Sequence, residues 1–443
     1  MVQLGEFSLW IALLMAAWCA TLTMQGAVMR RAALTASGAR GLYAALFFLL
    51  LASLGLAIAF VTDDFSLRYV ALHSGKNVEL LYKLCAFWSD TAGELLLASF
   101  LVALMGSVTS RVVLRADTDR RRAAWTVAVI GLILAGLIAG TAFGANPFMH
   151  LPRAQGDGRG LDPMLRNTAM FAQIPLMLLG AAGAAAACAL AAGGAIRQSF
   201  DGALFLRLRS AATESWGFLS ASGLIAAHWA YVSPGLRAIL LKNPAVVASM
   251  AAWTILSLFL VGVELAHTMR APQSEADVMR RRAGRVLAGV GVALCVAAAA
   301  VHSRTKNYDV QLGDGEQYSA TDAWGHDWSF TSQGASRLER PGDDVISLGL
   351  IASRDGVRQP FISTESRQYY TGGGLDVFPA QTVPAVRSSV SQDLLIILSD
   401  AGEGRAVLRI SFIPLVELDW AGGVLLALGA VLLFWPPKIG SVA

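Results

Sequence analysis

The sequence predicts an α-helical polytopic membrane protein of about nine transmembrane helices, with a small β domain outside the membrane before the last helix. Three observations predict it. Of the 443 residues, 55% are hydrophobic and only 15% charged, where a soluble domain carries about 25% charged residues. Apolar runs recur at lengths that cross a bilayer, which takes roughly 20 helical residues. Clusters of arginine follow every second run.

The runs are 7–28, 41–62, 92–110, 124–144, 169–193, 215–232, 245–266, 284–301 and 419–435. In lipid each must be a helix, because no other single segment satisfies its own backbone hydrogen bonds. Arg30, Arg31 and Arg40 follow the first run. Arg111, Arg115 and Arg120 to Arg122 follow the third, and Arg197, Arg207 and Arg209 the fifth. Arg270, Arg280 to Arg282 and Arg285 separate the seventh and eighth, and Lys438 follows the ninth. The positive-inside rule makes these loops cytoplasmic. It puts the N-terminus outside, the C-terminus inside, and 62–91, 145–168, 233–244 and 302–418 outside. The net charge of +4 thus reports topology, and no nucleic-acid partner is expected. The first run has no basic residue before it and a basic cluster after it, the reverse of a cleaved signal. Of Cys19, Cys85, Cys188 and Cys295, three lie in runs and none forms a CxxC pair, so packing is expected of them.

Residues 303–418 lose the apolar runs and gain Asp, Gly, Ser and Gln. Strand-like stretches appear at 345–352, 359–364, 393–398 and 405–412, and Arg354-Asp355-Gly356 has the composition of a hairpin turn. The expected division is 1–302 for eight spans, 303–418 for the β-rich domain, and 419–443 for the last helix and a short tail.

Several segments then resemble, in order, the CcmF family of cytochrome c haem lyases. Residues 63–70 (DDFSLRYV) and 82–97 (YKLCAFWSDTAGELLL) are similar to the family's SDFSVAYV and YKLSALWGGHEGSLLL. Residues 146–180 (NPFMHLPRAQGDGRGLDPMLRNTAMFAQIPLMLLG) resemble its NPF…DGRDLNPLLQ…HPPLLY stretch. Residues 229–253 (WAYVSPGLRAILLKNPAVVASMAAW) keep the frame of its tryptophan-rich segment as Trp229-Ala230-Tyr231, Pro244, Ala248-Ser249 and Trp253, with Asn243 where the family has Asp. Residues 361–434 resemble its last periplasmic domain and span, through Arg367 to Tyr370, Pro384, Arg387-Ser388 and Asp393-Leu394. The family's members are longer, and several of their helices have no counterpart between about residues 262 and 285, which makes this a shortened, divergent member.

The resemblance implies a bacterial inner-membrane protein of cytochrome c maturation. Its partners would be membrane lipid, other maturation proteins, a haem carrier and apocytochrome c. In the family one histidine pair holds haem b within the membrane and a second pair receives haem at the periplasmic face. Imidazole is a common iron ligand and indoles offer a large flat contact. Here Gln173, Val261, Gly289 and Thr91 stand where family histidines are expected, so haem b is expected only if other ligands replace them. No catalytic residue and no other metal site is assignable.

Six histidines remain: His73, His150, His228, His267, His302 and His326. His228 and His302, near the outer ends of two spans, are either a new axial pair or interfacial side chains with wet polar tips. Trp229, Tyr231 and Trp253 are either a haem platform or part of an aromatic belt with Trp10, Trp420 and Trp435. Arg159 stands in the 153–166 loop with Arg153, Asp157, Asp162 and Arg166, which either hold haem propionates or pair with one another to order the surface. Glu94 and Glu264 are carboxylates at or near membrane depth, where acids are paired or functional. The cofactor-binding candidates are thus Trp229, Tyr231, His228, His302, Trp253 and Arg159. Two functions compete: a component of the haem-attachment machinery, and a scaffold subunit without haem. A transporter is disfavoured by the lack of an internal repeat.

Overall fold

The structure is a computed structural model that describes residues 2–268, 275–340, 343–370, 378, 380–402 and 404–436. Among the described residues nine long helices overlie the nine expected spans: α1 (Val2–Met29), α2 (Ala32–Val61), α5 (Thr91–Ala116), α6 (Arg120–Ala139), α7 (Gln173–Arg197), α8 (Gly202–Val232), α10 (Pro244–Thr268), α11 (Glu275–Val301) and α12 (Val416–Phe434). Eight of them are long and apolar enough to cross a membrane. The exception is α8, the longest at 31 residues. Arg207, Arg209 and Glu214 polarise one end of it, and Ser215, Ser220, Ser222 and His228 dilute the rest. Three short helices, α3 (Arg68–His73), α4 (Leu80–Ala86) and α9 (Leu236–Lys242), lie in the connections. The chain is a multi-pass membrane protein.

One apolar cluster joins α1, α2, α5 and α6 through Leu9, Leu42, Leu49, Leu96 and Leu134, all fully buried. A second joins α7, α8, α10 and α12 through Met177, Trp216, Leu219, Leu260 and Phe434. In lipid, packing and small-residue contact hold such helices, because apolar burial alone favours no partner over the lipid chains. The α11–α12 pair shows the geometric limit. A Cβ on Gly291 would lie 2.6 Å from the main-chain oxygen of Gly422, and one on Gly429 would lie 2.4 Å from the main-chain nitrogen of Ala288.

One end of the bundle gathers the arginines. They are not all the solvated topology markers that composition suggests. Arg122 and Arg209 are 1% exposed and Arg281 3%. Arg122 bridges Asp117 and Asp201, and both Arg209 and Arg281 pair with Glu264.

Between α11 and α12 the described residues form ten strands in two antiparallel sheets: β1 (Lys306–Gly313), β2 (Gln317–Thr321), β3 (Asp327–Arg340), β4 (Asp343–Arg354), β5 (Val357–Arg358), β6 (Ile362–Tyr369), β7 (Gln381–Val383), β8 (Ala385–Arg387), β9 (Gln392–Gly402) and β10 (Arg405–Pro414). The orders are β1-β10-β9-β8 and β2-β3-β4-β6-β7, with β5 on β4. Their inner faces share a core of Val310, Phe330, Leu350, Ile396, Leu408 and Phe412. The hairpin at Asp355-Gly356 is present. Both residues have positive φ, 48° and 79°, between paired Arg354 and Val357, as a two-residue turn of type I′ requires. The stretch expected at 359–364 is instead broken. Pro360 lacks an N–H for a ladder, and β6 begins at Ile362. The sheet is larger than the four expected strands. In β1, Tyr308, Val310 and Leu312 alternate with polar residues, a period-2 signal shortened by Lys306, which falls on the apolar side of the alternation.

Candidate functional site

The segments that carry the family resemblance are far apart in the chain, and the fold brings several together at the β-domain end of the bundle. Tyr231, in the last turn of α8, donates its hydroxyl to Asp393 Oδ2 of β9 at 3.0 Å. Trp420, in the first turns of α12, meets Tyr231 and His228 edge to face, with ring centres 5.9 and 5.4 Å away. His302 Nε2 lies 3.0 Å from Asp419 Oδ2. Asp419 and Trp420 are neighbours on a helix, about 100° apart around its axis. His228 and His302 therefore approach α12 from different sides, each with a protein partner. Trp420 is a bridge between α8 and α12 rather than a lone member of an interfacial belt.

Beneath this junction is a cavity of about 770 Å³ whose walls come from α7, α8, α9, α10 and α12. Two of the candidate residues line it, Tyr231 and Trp253. So does Gln173, where the resemblance leads one to expect a histidine. Trp253 stacks on Trp216 with ring centres 6.2 Å apart and donates its indole N–H to Ser220 Oγ at 2.8 Å. Gln173 is 2% exposed. Its Nε2 donates to Ser222 Oγ at 3.3 Å, and that hydroxyl donates back to the Gln173 main-chain oxygen at 2.8 Å. Gln173 Oε1 is left buried without a partner.

Trp229 does not join the cavity. It is 1% exposed and packs with Cys85, Met170 and Leu236. Its side chain locks α8 to the short helices around it. Arg159 is also elsewhere. Its guanidinium lies 5.0 Å from the ring centre of Phe378, and that of Arg166 lies 5.4 Å from Tyr369. Among the described residues no ion pair joins the arginines of this loop to its aspartates, so the internally salt-bridged reading is not what the fold adopts. Asp157 instead accepts the main-chain N–H groups of Lys76 and Gly158, and Asp162 that of Met164. The loop is ordered by aspartate turns and docked on the β domain by guanidinium–aromatic contacts. Val261 is 47% exposed on α10, and a Cβ at Gly289 of α11 would touch nothing. Neither faces an enclosed space where a haem ligand would be needed.

The two intramembrane acids both have partners. Glu94, 2% exposed, accepts from Asn243 Nδ2 at 2.9 and 3.1 Å with its two oxygens. Asn243 Oδ1 meanwhile accepts the Ala245 N–H at 2.8 Å, capping α10. An Asp at 243 would keep the cap and set a second carboxylate against Glu94, where both cannot stay ionised. Asn243→Asp is therefore expected to lower the melting temperature of the detergent-solubilised protein by several degrees, and Glu94→Gln added to it to restore most of the loss. A neutral Asn243→Asp would refute the pairing.

Asp393 is 1% exposed, with Oδ1 unpartnered. Burial is the main cause that holds its carboxyl above the ordinary carboxylate range; the Glu417 charge adds to it and the Tyr231 hydrogen bond works against it. The folded chain thus binds this proton more tightly than the unfolded chain, and the group's contribution to stability is lost as pH rises through the folded value. Asp393→Asn keeps an acceptor for Tyr231 and removes the titration. Its stability relative to the parent chain is expected to improve from acid to neutral pH. Parallel melting curves across that range would rule this out.

No protein-family model matches the chain. Among curated proteins it is 29% identical over 220 residues to the cytochrome c-type biogenesis protein NrfE of Haemophilus influenzae, covering 50% of this chain and 33% of the relative. It is 32% identical over 213 residues to the probable NrfE of Escherichia coli K12, covering 48% and 38%. To the H. influenzae CcmF it is 26% identical over 268 residues, covering 60% and 40%. The chain thus spans about a third to two fifths of the length of the curated relatives it matches. A solved cytochrome c haem lyase CcmF superposes with a TM-score of 0.73 at 17% identity, over 98% of both chains. By sequence relationship and shared fold, the chain is a divergent homologue of the CcmF and NrfE cytochrome c-type biogenesis proteins.

Proposed function

We propose that the chain works in cytochrome c maturation as a bacterial inner-membrane subunit of the haem-attachment machinery. In this reading the β domain and the N-terminus face the periplasm, the C-terminus and the arginine-rich end face the cytoplasm, and apocytochrome c, a haem carrier and other maturation proteins dock at the periplasmic face. The observation that carries the reading is the convergence at one junction. Tyr231 from the WAY segment, Asp393 from the last periplasmic segment, Gln173 and Trp253 surround one cavity and its cap, although they span residues 173 to 393 of the sequence.

The residues present do not fit a haem held by two axial histidines in this cavity. Its wall offers the Gln173 amide and the thioethers of Met177 and Met250, and no imidazole. Among the described residues no group of three or more His, Cys, Asp and Glu could hold a metal ion. The chain's own contribution is then to position: Trp420, Tyr231 and Asp393 fix the β domain against α8 and α12, and the 153–166 loop fixes it through Arg159 and Arg166. Iron ligands would come from a partner protein. The same lack of imidazoles supports a second reading, a scaffold subunit that handles no haem.

The reduced-minus-oxidised spectrum with a pyridine haemochrome assay tests both. The purified chain alone is expected to lack a b-type α band. The chain co-purified with its maturation partners is expected to bring haem at about one equivalent. Haem on the isolated chain would overturn the partner-ligand reading, and His228 and His302 would be the first to mutate. No haem in either preparation leaves the scaffold.

A further inference from the structure

The cavity is not shaped or lined for iron, yet it is built. Trp216 and Tyr231 both line it and stand fifteen residues apart on α8, so it runs about 22 Å along that helix at 1.5 Å per residue. Its depth is apolar, with Leu219, Leu224, Leu426 and Trp253. Tyr231 and Arg237 stand at its β-domain end, Gln173 and Ser222 lie below them, and the hydroxyls of Ser220, Ser249 and Thr254 dot the wall. Gln173 opens α7, Tyr231 closes α8 and Arg237 lies on α9 between the spans. Two of these groups lack partners. Gln173 Oε1 is buried in the wall with no donor, which is costly unless something supplies one. Arg237, exposed at the rim, has no carboxylate within ion-pair distance among the described residues.

We propose that this cavity holds one anionic glycerophospholipid whose headgroup carries a hydroxyl, such as a phosphoglycerol. The phosphate sits at Arg237, the hydroxyl donates to Gln173 Oε1, and an acyl chain runs down past Trp253 to Trp216. Physical chemistry says what selects the ligand. An acyl chain gains little by leaving lipid for an apolar cavity, so the polar end decides. One basic residue near the surface is worth about five-fold in affinity for an anionic lipid. The inference does not rest on the functional reading, and haem content and lipid content are separate measurements.

Native mass spectrometry of the detergent-solubilised full chain tests it, with phosphatidylglycerol, phosphatidic acid and phosphatidylcholine of matched chains as probes. The parent protein is expected to retain one phosphatidylglycerol, about five-fold or more in preference to phosphatidylcholine. Arg237→Gln should bring that ratio to about one. Gln173→Leu should remove the preference for phosphatidylglycerol over phosphatidic acid, which has no headgroup hydroxyl. Ala427→Trp, or Leu224→Trp if the first does not fold, should fill the cavity and abolish retention. Equal retention of all three lipids, or retention unchanged in the filled variant, would mean shell lipid only and would overturn the proposal.

Discussion

Glu264→Ala is expected to cost about 3–5 kcal/mol, the size of leaving buried charge unpaired. Glu264 on α10 accepts from Arg209 of α8 at 3.3 Å and from Arg281 of α11. Both guanidiniums are almost fully buried, at 1% and 4% side-chain exposure. Arg209 keeps its bonds to the main-chain oxygens of Phe434 and Leu433, at 2.9 and 3.2 Å. Those are the last carbonyls of α12, and a cation there also meets the negative end of the helix dipole. Arg281 has no such reserve: its Nε is already unpartnered. One carboxylate therefore ties α10 to α8 and α11, and through Arg209 to α12. Size-exclusion profiles and thermal melts in detergent should show little folded Glu264→Ala protein. Glu264→Gln, which keeps an acceptor without the charge, should fall between. An alanine variant as stable as the parent would show that the cluster is solvated.

The second large effect is expected at Arg122. Its Nε donates to Asp117 Oδ2 at 3.0 Å, its Nη2 to Asp201 Oδ2 at 2.7 Å, and its Nη1 to the Ser199 main-chain oxygen at 3.1 Å. These bonds join the start of α6 to the turns before α6 and before α8. Asp201 is also the N-cap of α8, accepting from Leu204 N at 2.7 Å. Arg122→Met would leave Asp117, whose side chain is 1% exposed, with the Asp119 N–H at 3.1 Å and, as its nearest cation, Arg207 at 3.7 Å. The expected loss is again about 3–5 kcal/mol. Replacing both charges, as Arg122→Met with Asp117→Leu, should recover much of it, because a buried pair exchanged for apolar residues is often near neutral. If the double variant is no better than the single one, the loss comes from Asp201 and the α8 cap instead.

The fold was largely legible. Spans of about 20 apolar residues announce themselves because the bilayer imposes both length and composition: helices lie over all nine expected runs, and among the described residues eight of them qualify as spans, α8 being the exception. The β region was only partly legible. β4, β9 and β10 lie over expected stretches and β6 over the end of one, while β1 and β3 carry charge, β2 is a short polar strand, and β7 and β8 are three residues each. The site was less legible. Tyr231 and Trp253 could be named because they sit in a recognisable segment, and both line the cavity. Trp229 sits in the same segment, but it is two residues from Tyr231 on a helix and so points elsewhere, into the packing with Cys85 and Met170.

By itself the sequence determined the class, the spans, the place of the β domain and the family resemblance, because each depends on local composition or on contiguous motifs. It also put Gln173, Val261, Gly289 and Thr91 where the resemblance expects histidines. Only the tertiary structure decided which arginines are buried braces, which aromatic residues meet, and that Gln173, Tyr231 and Arg237 share one cavity. Those facts depend on how helices separated by tens of residues in the chain pack together, and a one-dimensional pattern records which face of a helix is apolar but not which neighbour covers it.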